Sequence, residues 1–122
     1  MIQPEHKLQD AIRLKVSSEC PGIILRTNSG IAWQGNKVWS PEYGQHILTG
    51  LRPYKGLPKG FSDLLYLGPG ATTAFIEVKT ATGRTSPYQD RFLDLMRRFG
   101  HSTAVVRSAE EAVNFINSEK DG

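Results

Sequence analysis

Two apolar runs, Asp63-Leu64-Leu65-Tyr66-Leu67 and Ala74 to Thr80, stand on either side of Gly68-Pro69-Gly70. Runs of that length joined by a tight turn signal predict an antiparallel hairpin. The rest of the chain must then pack around a sheet that contains it. A helix is expected from about Glu5 to Ser18, because Leu8, Ala11, Ile12 and Val16 fall on one stripe at helical spacing. Pro4 sits at or just before its first turn, and Pro21-Gly22 ends it. Glu5 and Gln9 lie on or beside the apolar stripe rather than opposite it. Ile23 to Thr27 reads as a strand, Asn28-Ser29-Gly30 as a turn and Ile31-Ala32-Trp33 as a second short strand.

Residues 35–60 combine Pro41, Pro53 and Pro58 with five glycines, and predict a long, variable loop with short strand pieces. After the hairpin, Ser86-Pro87 opens a helix whose expected buried stripe is Tyr88, Phe92, Leu95, Met96 and Phe99, stopped by Gly100. Thr103 to Val106 is a strand. Ser108 with Glu111 forms the capping box of a last helix that buries Ala112, Val113 and Ile116, and residues 118–122 are expected to fray. The order α-β-β-β-α-β-α predicts an α/β domain, a mixed central sheet flanked by helices.

Length and composition bound the function. The 122 residues suffice for one domain and not two. Fifteen Lys and Arg against twelve Asp and Glu leave a net charge of +3. That permits a nucleic-acid partner without demanding one. No apolar run approaches the roughly 20 residues of a membrane span, so no membrane partner is expected. The start of the chain has no basic-then-apolar secretory pattern. The single Cys20 cannot form an internal disulfide, and His6, His46 and His101 are too far apart in sequence to suggest a zinc site. An intracellular compartment is the expectation.

The chemistry concentrates in Phe75-Ile76-Glu77-Val78-Lys79-Thr80. Side chains alternate along a strand, so Phe75, Glu77 and Lys79 share one face while Ile76 and Val78 point into the core. A carboxylate and an ammonium together in mid-strand are costly unless paired or bound to something. An edge strand carrying a solvated salt bridge would be the bland explanation. Gly60-Phe61-Ser62-Asp63, however, puts an acid at the start of the preceding strand, where the hairpin brings it near Glu77. Two such carboxylates repel unless a cation lies between them, and oxygen ligands suit Mg²⁺ or Mn²⁺. Lys79 would stand beside the attacking water or the charge that develops on a phosphate.

The segments Gly60-Phe61-Ser62-Asp63, Phe75 to Thr80 and Gly83-Arg84-Thr85-Ser86-Pro87-Tyr88-Gln89 resemble the VRR-NUC domain, the virus-type replication–repair nuclease branch of the PD-(D/E)xK, restriction-endonuclease-like superfamily. The resemblance extends to Glu5 with Gln9 and to Arg26-Thr27-Asn28-Ser29-Gly30, and runs from about residue 5 to 116. It implies a restriction-endonuclease-like core over a single domain, 1–122. It implies Asp63, Glu77 and the carbonyl of Val78 as metal ligands and Lys79 as the catalytic lysine. Glu5 would be a helix-borne acid completing the site, and Gln89 a glutamine pointing into it. The small stand-alone members of the family, mostly phage and bacterial, are similar to Holliday-junction resolvases and act as homodimers. The expectation is thus a Mg²⁺- or Mn²⁺-dependent endodeoxyribonuclease cutting four-way junctions, in a bacterial cytoplasm or a phage-infected host, with no small-molecule cofactor.

Other readings stand beside these. Gln89 could merely complete a capping box with Ser86, and Glu5 could be an acid favoured by the helix dipole. Asp63 could cap a turn. Arg84 could contact a phosphate or simply be solvated, and Arg26 and Asn28 are DNA-binding candidates through the resemblance. Tyr54, Lys55 and Lys59 could track a DNA backbone or be solvated loop residues. Alternatives for the whole are a flap, fork or nicking nuclease, a restriction-type enzyme, or a DNA-binding module without chemistry.

Overall fold

The structure, a computed structural model, describes residues 4–27 and 31–121. A helix α1 (Glu5–Glu19) leads into strand β1 (Ile23–Arg26). Next come two long strands, β2 (Ile31–Ser40) and β3 (Gln45–Lys55), and then the central hairpin of β4 (Leu64–Gly68) and β5 (Thr72–Val78). Helix α2 (Pro87–Arg98), strand β6 (Ser102–Val106) and helix α3 (Ala109–Asp121) complete the chain. The main sheet has the order β1-β4-β5-β6. Its first two pairings are antiparallel and β5–β6 is parallel, so α2 is the crossover that parallel neighbours need. Leaving out β2 and β3, this is the expected α-β-β-β-α-β-α order in a mixed sheet.

Helices α1 and α3 cover one face. Leu8, Ile12 and Val16 of α1 and Ala112, Val113 and Ile116 of α3 close over Ile24, Leu64, Tyr66, Ile76 and Val78. The register explains which residues turn inward: Leu64 pairs with Ile76 and Tyr66 with Ala74, and opposed residues share a face. The buried Tyr66 hydroxyl accepts a hydrogen bond from the Gly22 N–H at 2.9 Å. That contact satisfies the backbone where α1 gives way to β1.

Helix α2 covers only part of the opposite face. Phe61, Phe75 and Phe92 form an aromatic cluster there, with ring centroids 4.4–5.8 Å apart. The expected buried stripe of α2 is corrected: Leu93 is its buried residue, whereas Tyr88, Leu95 and Phe99 are 47%, 43% and 65% exposed. The reason is geometric. The helix is turned so that Gln89, Phe92 and Leu93 meet the sheet, which leaves Tyr88, Leu95 and Phe99 on its outward side.

Residues 35–60 also differ from the expected loop. Most of them belong to a two-stranded ribbon, paired from Ile31↔Lys55 to Ser40↔Gln45 with an irregularity between Gln34 and Asn36. Glycines obscured this in the sequence. Gly44 lies in the end turn at φ +63°, and Gly35 fits where a Cβ would come 2.8 Å from the Thr49 carbonyl oxygen. Among the described residues β2 and β3 pack on each other and scarcely on any other element. The C-terminal stretch expected to fray is helical through Asp121.

Gly60 is a fixed point of the fold. The Phe61 N–H donates to the Pro58 carbonyl, closing a turn with Gly60 at its third position and φ +90°. A Cβ there would lie 2.5 Å from the Tyr88 carbonyl oxygen in the first turn of α2. Gly60→Ala is therefore expected to destabilise the protein by about 2 kcal/mol or more, from positive φ and backbone collision together. An unchanged melting temperature would contradict this.

Candidate active site

Asp63 comes just before β4, where the ladder between β4 and β5 gives out. Leu64↔Ile76 is the last backbone pair at that end. One residue further, the Val78 N–H donates to Asp63 Oδ2 at 2.9 Å. A side chain thus replaces the next ladder bond and parts the strands. The buried Ser62 hydroxyl donates to the Leu64 carbonyl at 3.1 Å, and the Thr27 N–H donates to the Asp63 carbonyl at 2.9 Å. These contacts hold the carboxylate in place.

Glu77 is wholly buried on β5, the strand between β4 and β6, so the edge-strand explanation does not apply. Its Oε1 accepts a hydrogen bond from Gln89 Nε2 at 2.9 Å and lies 3.9 Å from Lys79 Nζ. Its Oε2 is buried and receives no hydrogen bond from any donor among the described residues; when Glu77 carries its proton, the neighbour it bonds to is the Asp63 carboxylate. Burial pushes the Glu77 carboxyl up to about 9, helped by the adjacent Asp63 carboxyl and opposed by Lys79. Glu5, in the first turn of α1, completes the cluster: one carboxylate oxygen each from Glu5, Asp63 and Glu77 lie within 4.8 Å of one another. Three carboxylates this close together, one of them wholly buried, fit a hard divalent cation, whose charge would replace the proton on Glu77.

Gln89 does both things the sequence allowed. Ser86 Oγ accepts from the Gln89 N–H at 3.2 Å and Gln89 Oε1 accepts from the Ser86 N–H at 2.8 Å, a complete capping box. Its amide nitrogen remains free to donate to Glu77. A carboxamide is acceptor and donor at once, so the cap fixes the group that orients the acid.

The other candidates are more scattered. Arg26, at the end of β1, and Tyr54, near the end of β3, line one cleft. Lys59 Nζ lies over the Tyr88 ring, 4.3 Å from its centroid, with Arg91 4.9 Å from the same ring. Arg84 is exposed on the segment between β5 and α2. Asn28 falls outside the described residues, and Lys55 ends β3.

One residue was missed. Arg107 Nη1 donates to the carbonyls of Thr80, at 2.5 Å, and Gly83, at 2.7 Å, pinning the segment that follows Lys79. The Lys79 N–H itself bonds to the Val106 carbonyl at 3.0 Å. An arginine directly after a strand carries no signal of such a role. The Ser108 cap is also looser than expected. Ser108 Oγ accepts from the Glu111 N–H at 3.0 Å, but Glu111 Oε1 receives the Arg107 N–H at 3.3 Å rather than that of Ser108.

Comparison with known proteins agrees with this fold. A solved structure described as a VRR_NUC domain superposes with a TM-score of 0.59 at 20% sequence identity, covering 93% of this chain and 94% of that one. At that identity the likeness speaks for the fold. No curated protein matches the chain significantly. The sequence model of the VRR-NUC domain matches residues 4–110, nearly the whole chain and every acid of the cluster. The chain belongs to the VRR-NUC family, nucleases built on the restriction-endonuclease-like fold.

Proposed function

We propose that this chain is a divalent-cation-dependent endodeoxyribonuclease that prefers branched DNA, four-way junctions first. The observation that carries the proposal is the convergence of one carboxylate oxygen each from Glu5, Asp63 and Glu77, within 4.8 Å of one another, with the Lys79 ammonium alongside Glu77. Asp63, Glu77 and the carbonyl of Val78 would hold Mg²⁺ or Mn²⁺, with Glu5 on the remaining side. When bound, the cation supplies Lewis-acid stabilisation of the scissile phosphate and lowers the pKa of the attacking water.

The chain's own residues do the positioning. Gln89 anchors one oxygen of Glu77 and leaves the other for the ligand site. Lys79, whose side chain is only 12% exposed, is restrained by Glu77 and by its backbone N–H bond to the Val106 carbonyl. From there its ammonium can orient the attacking water and stabilise charge on the phosphate oxygens. In-line attack forms the new P–O bond as the bond to the 3′ oxygen breaks, leaving a 5′-phosphate and a 3′-hydroxyl. Arg26 and Arg84, together with Lys59, would contact backbone phosphates.

A homodimer is part of the proposal, because two sites across a two-fold axis match the paired strands of a four-way junction. The ribbon supports it. Trp33, Trp39, Leu48 and Leu51 are 47–60% exposed. An isolated two-stranded ribbon is marginal in water unless a face is covered. The test is a panel of four-way junction, flap, fork and plain duplex, each with Mg²⁺ or Mn²⁺ and with chelator. Junction cleavage that exceeds the other substrates and stops with chelator is expected. Equal cutting of plain duplex would overturn the branch preference, and no metal-dependent cutting of any substrate would overturn the activity.

A further inference from the structure

A cleft of about 520 Å³ opens between the base of the ribbon and the outer face of the main sheet. Its apolar surface comes from Leu25 on β1, Leu65 on β4 and Leu57 after the ribbon, with the Tyr54 ring beside them. Arg26 and Thr27 form the polar side. Leu25 and Leu65 are directly paired across β1 and β4, so they present one continuous surface. Its apolar part is open to solvent: Leu25 is 44% exposed and Tyr54 54%.

Three features narrow the occupant. The size falls within the range of small-molecule sites, roughly 300–1,000 Å³, and exceeds what water alone requires. The lining joins an aromatic ring to aliphatic side chains, which suits a flat, weakly polar group. Arg26 has no ion pair or side-chain hydrogen bond among the described residues, so its guanidinium is available to an anion attached to that flat group.

Position supplies the rest. Thr27, on the polar side, donates its backbone N–H to the Asp63 carbonyl at 2.9 Å and its hydroxyl to the Ser62 carbonyl. The cleft therefore adjoins the segment that carries a member of the acidic cluster.

We propose that this cleft takes one unpaired nucleobase of the DNA, stacked on Tyr54 against Leu25, Leu57 and Leu65, with its phosphate at Arg26. The proposal rests on the nuclease reading for the identity of the ligand and adds a source of structure selectivity to it. Bases in continuous duplex have both faces covered by their neighbours. A base at a branch, flap or end can leave the stack and offer a face to an aromatic side chain. The cleft would thus distinguish branched from plain duplex DNA without reading sequence.

The test measures binding in chelator, where it is independent of any cleavage. The probe is a short oligothymidylate carrying one 2-aminopurine, free or annealed to its complement. Wild-type protein is expected to quench the single-stranded probe strongly and the annealed probe little. Tyr54→Ala is expected to lower the preference for single strand over duplex by about tenfold, as loss of one stacked base would. Tyr54→Phe, which keeps the ring, should retain that preference and shows that the position tolerates change.

Unchanged preference in Tyr54→Ala, or equal quenching of the annealed probe, would overturn the proposal. So would a change in sedimentation in Tyr54→Ala without a change in DNA preference, which would assign the cleft to a second copy of the chain. Metal-dependent cleavage by wild-type protein, read separately, tells failure of the cleft apart from failure of the nuclease reading.

Discussion

Glu77→Gln is expected to lower DNA cleavage about a thousandfold or more while raising the melting temperature of the metal-free protein at pH 8. The first effect follows from chemistry. A carboxamide is a poor ligand for Mg²⁺ or Mn²⁺, and a thousandfold corresponds to about 4 kcal/mol of lost transition-state stabilisation. The second follows from burial. Glu77 is wholly buried and its carboxyl sits at about 9 instead of its usual 4.5. Such a group supports folding fully below its unfolded value and loses that support as pH rises towards about 9. Glutamine has no proton to lose. Its carbonyl can accept from Gln89 as Glu77 does, and its amide can donate to the Asp63 carboxylate as protonated Glu77 does, at every pH. The stability difference should shrink as pH falls towards 4.5. Opposite signs for activity and stability separate a functional acid from a structural one, since loss of a structural residue lowers both.

Metal affinity should climb steeply with pH. In the metal-free protein Glu77 holds its proton up to about 9, so a cation that uses this carboxylate must displace it. With one proton released per ion, apparent affinity rises about tenfold per pH unit below that value. Thermal stabilisation by a fixed Mn²⁺ concentration should accordingly grow between about pH 6 and pH 8, where the unliganded protein itself loses stability. Proton release measured in buffers of different ionisation enthalpy checks the same linkage. Stabilisation by Mn²⁺ that is flat with pH would mean the ion binds without Glu77.

The central hairpin and its acids were legible because the signals were local. A turn at Gly68-Pro69-Gly70 and alternation through Phe75 to Thr80 fix which residues oppose one another, and the register then brings Asp63 to the backbone of Val78. Gln89 was legible only as a choice between cap and site, because a sequence shows one side chain where the structure uses its two ends separately. The ribbon was hidden by its own devices. Gly35, Gly44, Gly50 and Pro53 read as loop punctuation, yet they occupy a bulged, exposed ribbon where positive φ and a missing N–H are tolerated. The α2 stripe misled for another reason. Tyr88, Phe92, Leu95 and Phe99 keep helical spacing, but periodicity does not reveal how a helix is turned on its sheet when Gln89 is also drawn inward. Arg107 acts through backbone carbonyls far away in sequence, which no local pattern records.

The acidic cluster also gives the modest net charge a different meaning. Three of the twelve acids, Glu5, Asp63 and Glu77, converge on one point. A bound cation would offset them there, leaving a more basic surface for DNA than the total of +3 implies.

Calorimetric titration of Mn²⁺ into the wild-type chain and into Glu77→Gln at pH 8, without DNA, tests the acidic cluster most directly. Saturable binding to the wild type with release of a proton, weakened at least about tenfold in the variant, is the predicted result. Indistinguishable isotherms for the two proteins would contradict it.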